Sequence, residues 1–343
     1  MSIMDKLKKN SKIKETAILS KSQFFRDKDF VTTDVPMINV ALAGDVDGGL
    51  SSGLTVLAGA SKHFKTSFAL KIASAYMRKH PESVMLFYDS EFGSPQQYFE
   101  TFGIDIDRVL HTPITDVEKL KFDLVGQLEN LERDDKVIIV IDSIGNLASK
   151  KEMEDALNEK SVADMSRAKA LKGLFRMVTP YLTMKNIPLL AVNHTYKEIG
   201  LFPKDIVGGG TGIYYSADNI WIIGRQQDKV GTEIKGYHFV INVEKSRFVR
   251  EKSKIPISVS WEGGIQKWSG LLDVAMGGGY VTKPSPGWYQ KTGEENKVRV
   301  VETLTEEFWK PIFETTDFKE YIKKSYQIGS VVSMEDYKDD NAE

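Results

Sequence analysis

The chain has 343 residues, 41% of them hydrophobic and 27% charged, enough for one large core with smaller appended elements and not the composition of a disordered or fibrous protein. Its 46 Lys and Arg nearly balance 48 Asp and Glu, a formal charge of -2 that excludes a wholesale basic coat for gripping nucleic acid and leaves room for a local basic path. The chain has no cysteine, hence no disulfide or thiolate chemistry; with neither a basic-then-apolar leader nor an apolar run of about 18 residues, the expectation is a soluble cytoplasmic protein without a membrane span.

Residues 1–32 form an N-terminal arm, whose first 30 residues carry eight basic against four acidic side chains. Ile13, Ala17, Ile18, Phe24 and Phe25 make it too apolar for a pure tether, so it reads either as a solvated arm or as one that docks on the core or on a neighbouring subunit. From Gly53 onward GLTVLAG, VMLFYDS, VIIVIDS and IPLLAVN are short apolar runs separated by longer stretches with helical patterning, the signature of buried parallel strands with crossover helices. A long helix is expected over about 158–183, where Val162, Met165, Ala168, Leu171, Phe175, Val178 and Leu182 form one apolar stripe. NIWII, YHFVINVE and IPISVSW add strands, several alternating, so the sheet gains an antiparallel or mixed extension. The expected division is a core over 33–268, a small Gly/Pro-punctuated C-terminal region over 269–334 and an acidic tail over 335–343, with no internal repeat.

The sharpest local signal is GASKHFKT, residues 59–66, between the strand GLTVLA and the helical run SFALKIASAYMRK. In that context the backbone N–H groups of Gly59, Ala60, Ser61, Lys62, His63 and Phe64 and the helix start at Ser67 cradle phosphates, Lys65 reaches the terminal ones, and the Thr66 hydroxyl can ligate Mg²⁺. Phe64 stands where the usual motif has its second glycine, so the local backbone must tolerate a side chain there. Asp142 ends the buried run VIIVID and can hold the water shell of the Mg²⁺; paired with the loop, it points to a nucleoside triphosphate site. Glu91, just past the strand ending LFYD, is preferred over Asp89 as the group that activates water, because its longer side chain extends beyond the strand end. Asn193 and His194 end the next strand before a flexible segment and read either as sensors of the terminal phosphate or as hydrogen-bonded structural residues. The five histidines are scattered and suggest no zinc cluster.

Two loops follow strand ends on the presumed nucleotide side, near 149–160 and 196–212. In the second, Lys197 and Lys204 offer phosphate contacts, Phe202 and its apolar neighbours offer stacking, and Gly208, Gly209 and Gly210 release backbone N–H groups; an ordinary mobile loop is the competing reading. Lys245 and Arg247 in VEKSR alternate on one face and either join a surface ion-pair network or complete a phosphate site on an adjacent protomer.

The combination of PMINVALAGDVDGGL, LAGASKHFKTSFAL, LFYDSEFG, VIDSIGNLASKKEMEDALNEK, NHTYKE, GGGTGIYYSAD and NVEKSR resembles the RecA/UvsX recombinase family over nearly the whole chain, on the branch of T-even-like bacteriophages, whose phosphate loop has an aromatic residue where Phe64 stands. The resemblance implies an α/β, RecA-like P-loop core with a twisted, mostly parallel mixed sheet. It also implies an ATP- and Mg²⁺-dependent, DNA-stimulated ATPase that forms a helical filament on single-stranded DNA and pairs it with homologous duplex DNA. By the same resemblance Tyr98 stacks on adenine, His194 senses the terminal phosphate, Glu91 activates water, the two loops bind DNA, and Lys245 and Arg247 approach the neighbour's ATP. A recombination mediator and a single-strand-binding protein are the further partners implied, in the bacterial host cytoplasm. The alternative with a similar nucleotide core is a hexameric replicative-helicase-type motor.

Overall fold

In the computed structural model, the described residues are 2–22, 24, 29–133, 135–159, 165–200, 203–230, 233–260 and 264–329. The chain opens with helix α1 (Ile3–Asn10), capped by a reciprocal Ser2–Asp5 pair. The buried α2 (Pro36–Ala43) has Pro at its start and Gly44 at φ 73° at its end. There follow β1 (Gly53–Gly59), α3 (Lys65–Lys79), β2 (Val84–Asp89), α4 (Gln96–Thr101), β3 (Val109–Pro113), α5 (Val117–Asn130), β4 (Val137–Asp142), α6 (Lys150–Leu157), α7 (Ser166–Met184) and β5 (Pro188–Lys197). The second half contains β6 (Asp205–Val207), α8 (Thr211–Ser216), β7 (Asn219–Val230), β8 (Glu233–Lys245), β9 (Lys254–Ser260) and β10 (Gly264–Ile265). The C-terminal lobe adds α9 (Leu271–Gly277), β11 (Val281–Ser285), β12 (Trp288–Lys291), β13 (Lys297–Arg299), α10 (Glu306–Thr315) and α11 (Phe318–Tyr326).

Among the described residues the main sheet has the order β10-β9-β8-β7-β1-β5-β4-β2-β3, with β6 hairpinned onto β5, and a separate three-stranded sheet is formed by β11, β12 and β13. β7, β1, β5, β4, β2 and β3 run parallel, and β8, β9 and β10 continue antiparallel, so the expected mixed α/β sheet is the one observed. The apolar runs are continuous because both faces are covered. Leu57, Phe87, Val140, Leu190 and Val192 face α2, α3 and the C-terminal helices, while Val56, Leu86, Ile139, Ile141 and Ala191 face α5 and α7. Parallel strands place their C-terminal ends along one edge, and register puts Gly59 opposite His194 and Asp89 opposite Asp142.

Three sequence expectations need correction. The stretch near 149–160 is not a loop over most of its length: Ser149 and Glu152 form a capping box that starts α6. The long helix begins at Ser166 rather than near 158, and Met165, at its N-cap, is exposed rather than part of the buried stripe; Val162 lies outside the described residues. The segment 196–212 is not loop throughout: residues 196–197 end β5, 205–207 form β6 paired back onto it, and 211–212 start α8. Phe202, Phe25 and the acidic tail lie outside the described residues. Among the described residues no helix is long and apolar enough to cross a membrane.

Candidate functional site

The C-terminal ends of β1, β5, β4 and β2 surround a cleft of about 540 Å³, lined by residues 61–67 with Glu91, Tyr98, Asp142, His194, Arg225 and Tyr237. Its floor is the segment between β1 and α3. Lys62 and Phe64 both take left-handed backbone conformations, at φ 62° and 54°. Phe64 supports that strained position with its side chain: its ring centroid lies 5.2 Å from that of Phe239 on β8, which also meets Phe68 edge-on. A residue that breaks the usual glycine pattern therefore anchors the loop to the antiparallel extension. β7 adds two ties, from the Arg225 guanidinium to the Lys62 carbonyl (3.1 Å) and from His63 Nδ1 to the Ile223 carbonyl (2.6 Å), so Nδ1 carries the imidazole proton. Gly59 lies against the same carbonyl, where a Cβ would approach Ile223 O to 2.9 Å.

Lys65 is buried and its Nζ donates to the Ala60 carbonyl, 2.9 Å away. Burial lowers its pKa, with Glu91 and Asp142 opposing the shift. Thr66 donates to Asp142 Oδ2 at 2.7 Å, while Asp142 Oδ1 is buried with no hydrogen-bond partner. Burial raises Asp142 to about 6. An orphaned carboxylate oxygen beside a threonine hydroxyl, at the start of a helix and next to a buried lysine, fits a hydrated divalent cation accompanying a polyphosphate. Asp89 is fully engaged elsewhere: Oδ1 accepts from the backbone N–H of Glu91 and Phe92, and Oδ2 lies 3.1 Å from His111 Nε2. Of Asp89 and Glu91, Glu91 is therefore the carboxylate that faces the cleft, as its place beyond the strand end suggests.

Glu91 Oε1 accepts from His194 Nε2 at 3.1 Å, and this hydrogen bond is the leading cause holding Glu91 down at about 2. His194 occupies space left by Gly145, where a Cβ would lie 2.2 Å from His194 Cδ2. The strand end continues the connection. Asn193, fully buried, donates through Nδ2 to the Gly208 carbonyl (2.7 Å), and Gly208 N–H donates to the His194 carbonyl (2.9 Å). Tyr98 on α4 lines the cleft with its hydroxyl bonded to Ser67 Oγ.

Other sequence candidates lie apart from this cleft. Lys197 pairs with Asp205 across the hairpin at 2.9 Å, Lys204 lines a separate hollow with Tyr196 and Tyr214, and Gly209 and Gly210 lead into α8 at φ 93° and 75°. Lys245 and Arg247 are bound to the C-terminal end of α8 and to Asp218, not to their own chain's cleft. Sequence reading missed Arg225 and Tyr237. Arg225 follows the apolar run that opens β7 but lies inside the strand, which continues to Val230; Tyr237, stacked beneath it at 4.6 Å on antiparallel β8, has no sequence signal of its own.

The RecA N-terminal domain family matches residues 6–266, and the C-terminal domain of the bacteriophage T4 recombination and repair protein matches 268–322. The chain belongs to the RecA/UvsX family. It is 51% identical over 343 residues to the recombination and repair protein of Enterobacteria phage T4, covering 97% of this chain and 88% of that one. RecA proteins of Aquifex pyrophilus and Aquifex aeolicus are each 26% identical over 246 residues, covering 71% of this chain and 68% and 69% of theirs. The RecA similarity is thus partial, whereas the phage similarity reaches into the C-terminal lobe.

Proposed function

We propose that this chain is an ATP-dependent DNA recombinase that polymerises on single-stranded DNA and promotes pairing and strand exchange with homologous duplex DNA. Family membership supports the reaction class. The observation that carries the coupling is the chain of contacts from Glu91 through His194 and Asn193 to Gly208, which connects the water-activating carboxylate to the glycine run of the second DNA-facing segment.

In this reading residues 59–64 hold the phosphates through backbone N–H groups, and Lys65 turns from the Ala60 carbonyl to the terminal phosphate. Thr66 and Asp142 hold Mg²⁺, which supplies charge neutralisation on the phosphates when bound. Tyr98 covers the base, and the terminal phosphate competes with Glu91 for His194. Once released, the Glu91 carboxylate regains basicity, because its strongest charge-stabilising hydrogen bond is gone; it then orients the attacking water and accepts its proton as the terminal P–O bond breaks to leave ADP and phosphate. His194 and the β6 hairpin report the event to residues 197–212, where Lys197 and Lys204 contact the DNA backbone. Lys245 and Arg247 reach the neighbour's nucleotide, and the N-terminal arm docks on the next protomer. The same reading retains the division at residues 32, 268 and 334, action in the host cytoplasm, and partnership with a mediator and a single-strand-binding protein.

The test is a strand-exchange time course with homologous single-stranded and duplex DNA, ATP and Mg²⁺, comparing wild type, Lys65→Ala and a nonhomologous duplex. Homology-dependent exchange lost in Lys65→Ala supports the recombinase. Catalytic separation of duplex DNA without exchange would instead make the protein a helicase-type motor.

A further inference from the structure

The two cations expected to act across a subunit boundary are held within their own chain by an arrangement that family membership does not explain. Lys245, Ser246 and Arg247 bind, in that order, the last turn of α8, the start of β7 and the turn between them. Lys245 Nζ donates to the Tyr214 carbonyl at 2.7 Å and lies 3.4 Å from that of Tyr215, at a helix end whose carbonyls lack helical partners. Ser246 Oγ donates to Asn219 Oδ1 at 2.6 Å, and Arg247 Nε donates to Asp218 Oδ1.

Asp218 is built into the core edge. It is 5% exposed, its Oδ2 accepts from Leu54 N–H at 2.9 Å, and its own N–H donates to the Leu54 carbonyl at 2.8 Å. The neighbouring Gly53, at φ 111°, leaves the space this carboxylate fills, since a Cβ would lie 2.0 Å from Asp218 Oδ2. β1 thus fixes the acceptor, whereas the Arg247 side chain is 64% exposed and free to swing once released. Solvent screening makes such a contact reversible, and a triphosphate offers a guanidinium more negative charge than one carboxylate.

The turn also has a second attachment. α8 starts immediately after the glycine run that Asn193 holds at Gly208, and it lies flush against α7, where a Cβ on Gly212 would come within 2.7 Å of Lys172 Cα. One short helix therefore has its entry tied to the nucleotide-side strand end and its exit tied to both cations. Displacing it along its axis cannot preserve both sets of bonds.

We propose that Asp218 is a positioning residue that stores Arg247 at the end of α8, so that delivery of Lys245 and Arg247 to a neighbouring subunit's nucleotide waits on movement of α8 by DNA. The inference rests on the proposed action of these cations across the subunit boundary. It accounts for a buried carboxylate, placed by β1, that serves no part of the cleft.

The test uses the full chain with Asp218→Asn, which keeps an oxygen for Leu54 N–H and removes the charge that holds Arg247. ATP turnover is measured against protein concentration, with and without saturating single-stranded DNA. Release of a partly exposed ion pair should raise DNA-free turnover about threefold at concentrations where subunits associate, and lower the ratio of DNA-stimulated to DNA-free turnover by a similar factor. Arg247→Ala should reduce DNA-stimulated turnover while isolated subunits still bind a fluorescent ATP analogue, and the Asp218→Asn gain should vanish in the double variant. Full DNA-stimulated turnover by Arg247→Ala would defeat the cross-subunit reading itself. Loss in Arg247→Ala with a wild-type ratio in Asp218→Asn would leave that reading standing and overturn the storage role. If Asp218→Asn melts below the assay temperature, Ser246→Ala decides: it loosens the same turn, and an unchanged ratio rejects the proposal.

Discussion

His194 stands in a gap that only a glycine leaves open, so its contact with Glu91 depends on a residue that touches no substrate. Gly145→Ala would place a methyl group 2.2 Å from the imidazole Cδ2 and push the ring out of line with Glu91. Turnover should fall while nucleotide affinity stays near wild type, a split read by steady-state kinetics beside equilibrium binding; equal losses in both would point to general damage of the cleft. Glu91→Gln makes the complementary change, preserving shape and removing the proposed base, and should lower turnover by roughly 10²- to 10⁴-fold with binding retained. Unchanged turnover would remove Glu91 as the water-activating group. At this scale the sequence was legible where polar residues follow an apolar run at a strand end or open the next helix: Lys65, Thr66, Glu91, Asp142 and His194 converge on one cleft. Tyr237 was not legible, because its approach depends on how β8 pairs with β7.

The short elements beside the cleft connect it to the segments proposed to face DNA. Gly212 permits α8 to lie against α7, and Gly212→Ala would drive a Cβ to 2.7 Å from Lys172 Cα, a backbone atom that cannot rotate away. Overpacking of this kind costs about 1–3 kcal/mol or moves the element. Since α8 continues the glycine run, ATP-dependent binding of single-stranded DNA should weaken, while ATP binding without DNA persists; filter binding or fluorescence anisotropy with a labelled oligonucleotide measures it. Undiminished DNA binding would show that α8 need not hold this position. The misreading of 149–160 has a physical origin at the same scale. KKEMED looks like a solvated polar loop by composition, yet Ser149 and Glu152 satisfy the first backbone donors reciprocally and start a helix with no buried residues. The strand within 196–212 was similarly hidden, because β6 becomes a strand only by pairing with β5.

Across the whole molecule, strand types were readable from apolar runs, but their order was not: β5 and β4 separate β1 from β2, an arrangement set by crossovers over both faces. Nor did composition reveal how closely the C-terminal lobe is joined to the core. Trp309, Phe318 and Ile322 belong to the same buried cluster as Met37, Phe68 and Ile257, and Arg250 N–H bonds to the Tyr326 carbonyl, so the two share one apolar core. Lys319 and Lys323 add ion pairs to Asp47 and Asp45, but these are partly exposed and contribute little beside the shared apolar contact. Trp309→Ala should therefore destabilise the molecule as a unit. The indole is fully buried and its Nε1 donates to the Thr303 carbonyl at 2.6 Å, so truncation leaves both a cavity and an unpaired acceptor, at a cost of about 3–5 kcal/mol. Scanning calorimetry should show one transition moved to lower temperature, because the cavity lies in a core common to both parts. A new low-temperature transition with the main one unmoved would mean that the lobe unfolds independently and that the shared cluster does not couple it to the sheet.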